Sequence, residues 1–532
     1  MTRKPGDMTK VLIADKLSAR AAEIFRANGI EADVATGLTP KQLVKRIAGY
    51  DGLAVRSATK VTADVLAAAS RLKVVGRAGI GVDNIDVAAA TARGVVVMNT
   101  PFGNAITTAE HTIAMMLALA RQLPAADRST RAGKWQKSRF MGVEVAAKVL
   151  GLIGCGNVGS IVANRAQGLK MRVIAYDPFL APERAAELGV EKVGLDELYA
   201  RADIISLHTP LTEQTRDMID ARAIARMKPG VRIINCARGG LVVETDLAAA
   251  LESGHVAGAA LDVFAIEPAT ENPLFGMDQV VVTPHLGAAT SEAQENVARQ
   301  IAEQMSDFLT TGAVTNALNM PSVTAEEAPK LRPYMKLARQ LGRFAGQLTR
   351  TGLKAVTVEY EGHVATLNTQ ALTAIVIEGL LSPVMDSVNM VNAPLVARQR
   401  NIGVSEITHA RPGDYLTLIR LTVTTEKRSR SVAGTLFADN RPRVVEIKGI
   451  NIEAELGPHM LYITNEDKPG IIGRLDMTLA DAGVNIATFH LGRAAPGGDA
   501  IALIEIDGAL PADVLGQVRA IDGVFQATAL EF

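Results

Sequence analysis

The feature that most restricts the fold is an alternation of short apolar runs with amphipathic segments over the first 320 residues. Runs such as KVLIA and GLAVR are rich in β-branched residues, and each precedes an Ala/Leu-rich stretch with helical spacing. This alternation is typical of βαβ units, in which parallel strands lie between two layers of helices. The alternation restarts at KVLGLIGCGNVG. The sequence therefore predicts two successive doubly wound α/β domains.

A glycine-rich turn opens the second of these units. Gly154, Gly156 and Gly159 form a GxGxxG pattern directly after the apolar run VLGLI, and Asp177 follows 18 positions past Gly159. Glycines at these positions allow a tight turn and let the backbone approach a pyrophosphate at a helix N-terminus, while the acid accepts hydrogen bonds from ribose hydroxyls. The pattern predicts a Rossmann dinucleotide site, and the acid favours NAD over NADP. The alternative is a turn that serves only helix packing.

A second glycine-rich turn, GRAGIGVDN at residues 76–84, also follows an apolar run. It lacks the third glycine at the required spacing, and no acid stands at the required distance downstream. We therefore expect a turn that faces the cleft between the domains, without a second nucleotide.

The connecting helices predict that the first domain is split. Residues 110–135 predict one helix that joins the two units, and residues 291–312 predict a helix that returns to the first unit. We expect a flavodoxin-like substrate domain at residues 1–102 and 290–322, and a Rossmann domain at residues 103–289.

The chain changes character near Met320, where proline and acidic residues increase. Residues 323–456 predict an α+β domain with a helix at 334–349, strands at 354–362 and 414–425, and a turn over 437–449. Residues 457–532 follow the order strand, helix, strand, strand, helix, strand, which is the ferredoxin-like βαββαβ arrangement.

Composition excludes several classes of partner. Lys plus Arg and Asp plus Glu number 56 each, so the chain has no global basic field for nucleic acid or an anionic membrane. The N-terminal residues lack the apolar core of a signal peptide, and the uncharged stretch at 149–164 holds four glycines, which suit a membrane span poorly. Two cysteines, Cys155 and Cys236, suit a reducing compartment and cannot form a multi-cysteine metal site. We expect a cytoplasmic protein that binds no metal.

Three polar residues stand at the carboxyl ends of successive predicted strands. They are Arg238 after RIINCA, Glu267 after ALDVF and His285 after VVVTP. Ligands of open α/β sheets bind beyond these strand ends, so we expect the three side chains to converge on the nicotinamide. A histidine steadied by a carboxylate can exchange a hydroxyl proton, and an arginine can grip a substrate carboxylate.

Other residues compete for these roles. His208 also ends a predicted strand and is an alternative to His285, whereas His111 is expected to be a satisfied interior group. Cys236 could be proposed as a nucleophile, but its neighbours suggest no thiol chemistry, and a small residue beside the cofactor is favoured.

Five motifs of the second unit resemble the D-isomer-specific 2-hydroxyacid dehydrogenase family: GLIGCGNVG, LHTPLTEQTRDMI, KPGVRIINCARGGLV, GAALDVFAIEP and TPHLGAAT. The upstream motifs RSATK and GRAGIGVDNIDV, with the long C-terminal extension, resemble its phosphoglycerate branch, which has an intervening domain and a terminal ACT domain. The resemblance implies NAD-dependent oxidation of 3-phosphoglycerate to 3-phosphohydroxypyruvate, the first step of serine biosynthesis.

The resemblance also implies roles for individual residues. His285 matches the catalytic acid/base, Glu267 its carboxylate partner and Arg238 the arginine that binds the substrate carboxylate. The remaining positions that match NAD contacts are Gly154, Gly156, Asn157, Val158, Gly159, Asp177, Thr209, Cys236, Ala237, Asp262, Gly287 and Ala288. Those that match substrate contacts are Arg56, Ser57, Arg77, Asn104 and Arg238.

Two further expectations concern the assembly. Family members are homo-oligomers, so we expect a homodimer or homotetramer, in which Lys137 or Arg139 reaches the site of a neighbouring subunit. In the ACT domain, Asn465, Asp467 and Asn485 match an L-serine effector site, although Asn and Asp beside Pro-Gly are also common turn residues.

Two alternatives remain open at this point. One is a glyoxylate/hydroxypyruvate reductase or another D-2-hydroxyacid dehydrogenase, such as a D-lactate type, on the same scaffold. The other, from a different class, is a regulatory protein that senses NAD. Substrate profiling separates the first alternative, and NADH production separates the second.

Overall fold

The computed structural model describes residues 8–323, 326–349, 351–385, 387–437 and 440–532. Four sheets follow one another along the chain, and two of them are wholly parallel. In the described part of the chain, no helix is both long and apolar enough to cross a membrane.

The first sheet has the strand order β2-β1-β3-β4-β5, which is the flavodoxin-like order. Its strands are β1 (Lys10–Ile13), β2 (Glu31–Val34), β3 (Gly52–Val55), β4 (Val74–Arg77) and β5 (Val96–Asn99). Its helices are α1 (Ala19–Ala27), α2 (Pro40–Arg46), α3 (Ala63–Ala68) and α4 (Val87–Ala92). A later helix, Ser291–Thr311, returns to this sheet and buries Ile301 and Met305 in its core. The predicted return helix is therefore present.

The second sheet has the order β12-β11-β10-β9-β6-β7-β8, and all of its pairs are parallel. Its strands are β6 (Val149–Ile153), β7 (Arg172–Tyr176), β8 (Glu191–Lys192), β9 (Ile204–Leu207), β10 (Val231–Asn235), β11 (Val256–Leu261) and β12 (Val280–Val282). The helices before and around it are α5 (Ala105–Ala120), α6 (Leu123–Arg131), α7 (Asn157–Gly168), α8 (Pro182–Glu187), α9 (Leu195–Arg201), α10 (Ala221–Ala225) and α11 (Glu244–Glu252), and the return helix is α12 (Ser291–Thr311).

The predicted single helix at 110–135 is wrong, because the chain forms two helices there. Gln122 adopts a left-handed conformation, with φ of 53°, between α5 and α6. Pro124 has no amide hydrogen to donate to the carbonyl of Ala120, which disfavours the continuation of α5. That carbonyl instead accepts a hydrogen bond of 2.9 Å from the amide of Val143.

The third sheet is mixed and has the order β14-β13-β15-β16-β17-β18. Its strands are β13 (Leu353–Gly362), β14 (Gly403–His409), β15 (Thr417–Thr425), β16 (Ser429–Leu436), β17 (Pro442–Ile447) and β18 (Ile450–Ala454), and its helices are α13 (Ala328–Leu348), α14 (Thr369–Leu381) and α15 (Ala393–Gln399). The turn expected over 437–449 is wrong at Pro442–Ile447, because the β-branched residues of β17 pair with β16. Residues 438 and 439 of that expectation lie outside the described residues.

The fourth sheet is antiparallel, with the order β20-β21-β19-β22. It consists of β19 (His459–Glu466), β20 (Ile486–Arg493), β21 (Asp499–Ile506) and β22 (Val524–Glu531), with α16 (Ile471–Asp481) and α17 (Ala512–Arg519) on one face. This is the predicted ferredoxin-like arrangement.

Candidate active site

The first two sheets face each other across a cleft of about 900 Å³. Its lining comes from loops at the carboxyl ends of strands in both sheets, where ligands of open α/β sheets bind. Seven of the predicted site residues line it: Arg56, Ser57, Arg77, Asn104, Glu267, His285 and Ala288. The fold thus brings together side chains that are more than 200 positions apart in the sequence.

His285 and Glu267 form a hydrogen-bonded pair in this cleft. Nδ1 of His285 lies 2.7 Å from Oε2 of Glu267, and the other carboxylate oxygen accepts the amide of Phe264 at 3.0 Å. Burial raises the pKa of Glu267, but the hydrogen bonds from His285 and Phe264 outweigh it, so the pKa lies below its ordinary value. His285 itself has a φ of 58°, a left-handed conformation that is costly for a residue with a side chain and that is often found at functional sites. The carboxylate is therefore ionised and can hold the imidazole in one orientation.

The competing histidines are engaged elsewhere. Nε2 of His208 lies 3.0 Å from Oγ of Ser206, and burial lowers the pKa of His208 to about 4. This ring is therefore neutral at pH 7. The described residues that line the cleft do not include His208. His111 lies 3.3 Å from both Asp262 and Thr283, as expected for a satisfied interior group.

The GxGxxG turn has the shape that a dinucleotide requires. A Cβ at Gly154, where φ is 94°, would lie 2.5 Å from the carbonyl oxygen of His208, and one at Gly159 would lie 2.3 Å from the carbonyl oxygen of Gly154. A Cβ at Gly156, by contrast, would meet open space directly before α7 begins at Asn157. Two glycines thus permit close backbone packing, and the third leaves a bare surface at a helix N-terminus, so the residues present fit a pyrophosphate.

The remaining predicted cofactor positions lie along the carboxyl edge of the same sheet. Asp177 follows β7 and accepts amide hydrogen bonds of 2.8 Å from Cys155 and from Phe179. These bonds hold the carboxylate beside the turn, where it can also accept ribose hydroxyls. Others lie in α7 or just past the ends of β9, β10 and β12: Asn157, Val158, Thr209, Cys236, Ala237, Gly287 and Ala288. Burial raises the pKa of the Cys236 thiol to about 12, which opposes a nucleophilic role.

Asp262 organises the loop that carries His285. Its buried carboxylate accepts hydrogen bonds from Oγ1 of Thr283 at 2.6 Å and from the amides of Leu286 at 2.7 Å and Gly287 at 2.8 Å. Burial raises its pKa, but hydrogen bonds from His111, Thr283 and Leu286 lower it below the ordinary value. The structure thus places Asp262 behind the site, where it shapes the backbone.

The loop that carries Arg56 is held by two residues that sequence reasoning missed. The buried Asp15 accepts the amide of Arg56 at 2.7 Å and the hydroxyl of Thr59 at 2.6 Å, while Nδ2 of Asn84 donates to the carbonyls of both residues. Asp15 directly follows the apolar run KVLIA, which contains β1. Its position at the end of a predicted strand is the sequence signal that could have indicated a role in the site. Lys60, from the same loop, also lines the cleft.

Arg77 and Asn104 contribute unsatisfied polar atoms to the cleft. Nε of Arg77 and Oδ1 of Asn104 are buried, and neither has a hydrogen-bond partner among the described residues. Burial, together with the charge of Arg238, lowers the pKa of Arg77 to about 10, so it stays protonated at neutral pH. A part-buried cation whose Nε has no hydrogen-bond partner among the described residues favours an anionic ligand.

Arg238 lies beside the cleft. The described residues that line the cleft do not include it. Its Nε donates to Oδ2 of Asp83 at 2.8 Å, and its Nη1 donates to the carbonyl of Ala237 at 2.6 Å. Asp83 belongs to the first domain, so this ion pair joins the two sides of the cleft. Sequence reasoning missed Asp83, since nothing in an exposed loop acid indicates a partner 155 positions away.

Known protein families and individual relatives match this chain. The D-isomer specific 2-hydroxyacid dehydrogenase NAD binding domain matches residues 113–287, and the D-3-phosphoglycerate dehydrogenase intervening domain matches residues 330–448. A D-3-phosphoglycerate dehydrogenase of Synechocystis sp. is 42% identical, over 98% of this chain and 94% of its own length. One from Archaeoglobus fulgidus is 41% identical, over 98% of this chain and 100% of its own. The chain belongs to the D-3-phosphoglycerate dehydrogenase family.

Solved structures resemble the first two domains. A glyoxylate reductase from Paecilomyes thermophila is 28% identical and has a TM-score of 0.56, covering 59% of this chain and 99% of its own. A D-lactate dehydrogenase from Aquifex aeolicus, complexed with NAD and lactic acid, is 27% identical with a TM-score of 0.52, over 59% and 100% of the two chains. The matches confirm the predicted fold class, the oxidoreductase class and NAD as the cofactor.

The predicted effector residues do not meet within one chain. Asp467 lies at the end of the fourth sheet where β19 ends, and it accepts hydrogen bonds from Arg493 at 3.0 Å and the amide of Gly497 at 3.1 Å. Asn465 is buried next to it. Asn485 precedes β20 at the opposite end of the sheet and donates to Asp507 at 2.7 Å. Antiparallel pairing thus places Asn465 and Asp467 at one end of the sheet and Asn485 at the other within one chain.

Proposed function

We propose that the protein oxidises the C2 hydroxyl of 3-phosphoglycerate to give 3-phosphohydroxypyruvate, the first step of serine synthesis. The observation that carries this proposal is the gathering of Arg56, Arg77 and Arg238 in and beside the cleft that holds the His285–Glu267 pair. A substrate with a carboxylate at one end and a phosphate at the other supplies the matching negative charge.

His285 serves as the proton acceptor. Since Nδ1 is bonded to Glu267, Nε2 is the ring nitrogen left to take the proton of the substrate hydroxyl. The ionised Glu267 stabilises the imidazolium that forms. Arg238 binds the C1 carboxylate and polarises the neighbouring oxygen, while Arg56, Ser57, Arg77 and Asn104 hold the phosphate end.

NAD, when bound, would supply the acceptor for the hydride that leaves C2 of the substrate. The backbone of Gly154, Gly156 and Gly159 would hold its pyrophosphate, and Asp177 its ribose. The buried Asp262 keeps the loop after β12 in place, so the acid/base and the cofactor side of the cleft share one rigid support.

An NAD-reduction assay tests the proposal. We expect kcat/KM for 3-phosphoglycerate to exceed that for glycerate by roughly 100-fold, since two charge-assisted contacts are lost without the phosphate. Equal use of glycerate would remove the role of Arg56 and Arg77 and favour a glyoxylate/hydroxypyruvate reductase. An absence of NADH formation with any 2-hydroxy acid would favour a regulatory protein.

We further propose that the protein is a homodimer or homotetramer inhibited by L-serine. The separation of Asp467 and Asn485 supports a site completed by a second copy. We expect serine to inhibit the wild type and Asn485→Ala to relieve that inhibition. A serine-insensitive wild type that sediments as a monomer would contradict both parts.

Lys137 is the better candidate for the residue that reaches a neighbouring site. Arg139 bonds Asp278 at 2.6 Å, whereas Lys137 is exposed and has no partner among the described residues. The adjacent Trp135 and Met141 are exposed too, at 86% and 76%, which suits a segment that another subunit covers. Lys137→Ala should raise the KM for 3-phosphoglycerate more than Arg139→Ala does.

The same proposal includes a cytoplasmic location and domain boundaries at 102/103, 289/290, 322/323 and 456/457. The separate apolar cores of the first two sheets support the first two boundaries, and the two buried free thiols suit a reducing compartment. Limited proteolysis and cell fractionation test these two points.

A further inference from the structure

The guanidinium of Arg238 occupies a slot in the opposite domain. Nε donates to Asp83 and Nη1 to the carbonyl of Ala237. A Cβ at Gly81 would lie 1.6 Å from Nη2, so only glycine leaves room for the guanidinium there. The side chain of Arg238 is 26% exposed, whereas that of Asp83 is 61% exposed. The slot is thus built around the arginine, with the carboxylate at its open side.

Asp83 is the counter-ion of Arg238, and its charge also acts on Arg77. The charges of Arg77 and Arg238 oppose each other, and Arg56 adds to the repulsion at Arg77. Asp83 and Asp15 act in the opposite direction and favour the charged form of Arg77. The carboxylate of Asp15 accepts hydrogen bonds from the loop that carries Arg56. Asp83 is the carboxylate that bonds to the guanidinium of Arg238.

The Nε edge of the Arg238 guanidinium is engaged by Asp83 in this arrangement. A carboxylate is gripped at two points when it meets two adjacent N–H groups of one guanidinium edge. Asp83 accepts from Nε, which shares one edge of the guanidinium with Nη2, and Ala237 accepts one of the two N–H groups of Nη1. A two-point grip on the Nε edge therefore requires Asp83 to release Arg238.

We propose that Asp83 is a positioning residue that holds Arg238 beside the cleft and competes with the substrate carboxylate for its Nε edge. This inference rests on the proposed function, because it takes Arg238 as the carboxylate-binding residue. A ligand with two anionic ends can engage Arg56 and Arg77 while it displaces Asp83. A small single anion lacks the second anchor, so the competition favours phosphorylated hydroxy acids over simple anions.

The test is Asp83→Asn, which keeps the size of the side chain and removes its charge. We expect the KM for 3-phosphoglycerate to fall roughly two- to fivefold, the range for losing one exposed competing charge. Competitive inhibition by inorganic phosphate should strengthen by a similar factor. A merely structural role would raise the KM and leave phosphate inhibition unchanged, and that result would overturn the proposal.

Asp64→Asn is the matched control. Asp64 is exposed at the start of α3 in the same domain and has no partner among the described residues, so the variant removes the same charge outside the cleft. It should keep the wild-type KM and phosphate inhibition. If it lowers the KM as much as Asp83→Asn does, the effect is one of net charge and the proposal fails. Asp83→Ser provides a second variant that must change the KM in the same direction.

Calorimetric titration of 3-phosphoglycerate separates this inference from the proposed function. A wild type that neither binds nor oxidises 3-phosphoglycerate would overturn both. A wild type that binds and oxidises it, beside an Asp83→Asn variant that binds it equally or more weakly, would overturn only the role of Asp83.

Discussion

Two glycine-rich turns follow strands of the two parallel sheets, and each uses the missing side chains differently. In the turn at 154–159, added Cβ atoms would meet backbone, at 2.5 Å for Gly154 and 2.3 Å for Gly159. In the turn at 76–84, added Cβ atoms would meet arginine side chains: Nη1 of Arg77 at 1.8 Å from Gly79, and Nη2 of Arg238 at 1.6 Å from Gly81. The first turn makes room for backbone and a diphosphate, and the second makes room for guanidinium groups.

The segments that come after the two turns explain the difference. A 12-residue helix, α7, begins within the first turn and presents its free amides there. The second turn ends with Asp83 and Asn84, and the short helix α4 begins only at Val87. Glycine spacing alone therefore does not define a nucleotide site. The helix that starts at the turn and the acid after the next strand complete it.

The greatest loss of activity should come from a residue outside both turns. His285→Ala should lower kcat by roughly 10²- to 10⁴-fold, because it removes the general base. The affinities for NAD and 3-phosphoglycerate should be nearly retained, since the two turns are intact. Steady-state kinetics and NADH titration measure these quantities. Unchanged turnover would show that another group accepts the proton.

Arg77→Met should weaken substrate binding at the second turn and raise the free energy of unfolding. We expect the KM for 3-phosphoglycerate to rise roughly 10- to 100-fold, the range for a lost charged contact. Burial lowers the pKa of Arg77 to about 10, so its charge costs stability below pH 10, and this cost diminishes as the pH rises above 10. Removing the charge should raise the unfolding free energy at neutral pH by roughly 1 to 3 kcal/mol. A variant less stable than the wild type in urea would contradict this account.

Gly79→Ala and Gly154→Ala form a matched pair, because both glycines have positive φ, at 145° and 94°. Both variants carry backbone strain of about 1 to 3 kcal/mol. Gly79→Ala should raise the KM for 3-phosphoglycerate roughly tenfold by displacing Arg77, with NAD affinity retained. Gly154→Ala should do the reverse. If both variants weaken the same ligand, the contrast between the turns is wrong.

Asp177→Ser should change the kinetics less than the variants of His285, Arg77, Gly79 and Gly154. Loss of the ribose-binding carboxylate should raise the KM for NAD roughly five- to tenfold and allow some use of NADP, because the repulsion of a 2′-phosphate is removed. The KM for 3-phosphoglycerate, which depends on the other turn, should stay the same. Initial rates with each cofactor check this. A variant that still excludes NADP would show that Asp177 does not set the preference.

Much of the fold was predictable, since strand and helix periodicity are local properties. The prediction failed where a single residue changed the backbone, as at Pro124, or where β-branched residues lay inside a stretch classed as a turn, as in β17. In the candidate site, the residues at strand ends were found because parallel sheets place them together. Asp83, Asp15 and Asn84 were missed, because their roles depend on partners in other loops.

The sequence alone specifies the two doubly wound domains, the ferredoxin-like module, the dinucleotide turn and the family. These features depend on periodicity, on glycine spacing and on motifs that are short in sequence. The folded chain was needed to establish that His208 is part-buried and neutral, that Arg238 bonds Asp83, and that the predicted effector residues lie at opposite ends of one sheet. Burial, ion pairing and strand direction depend on groups that meet only after folding, so no local pattern records them.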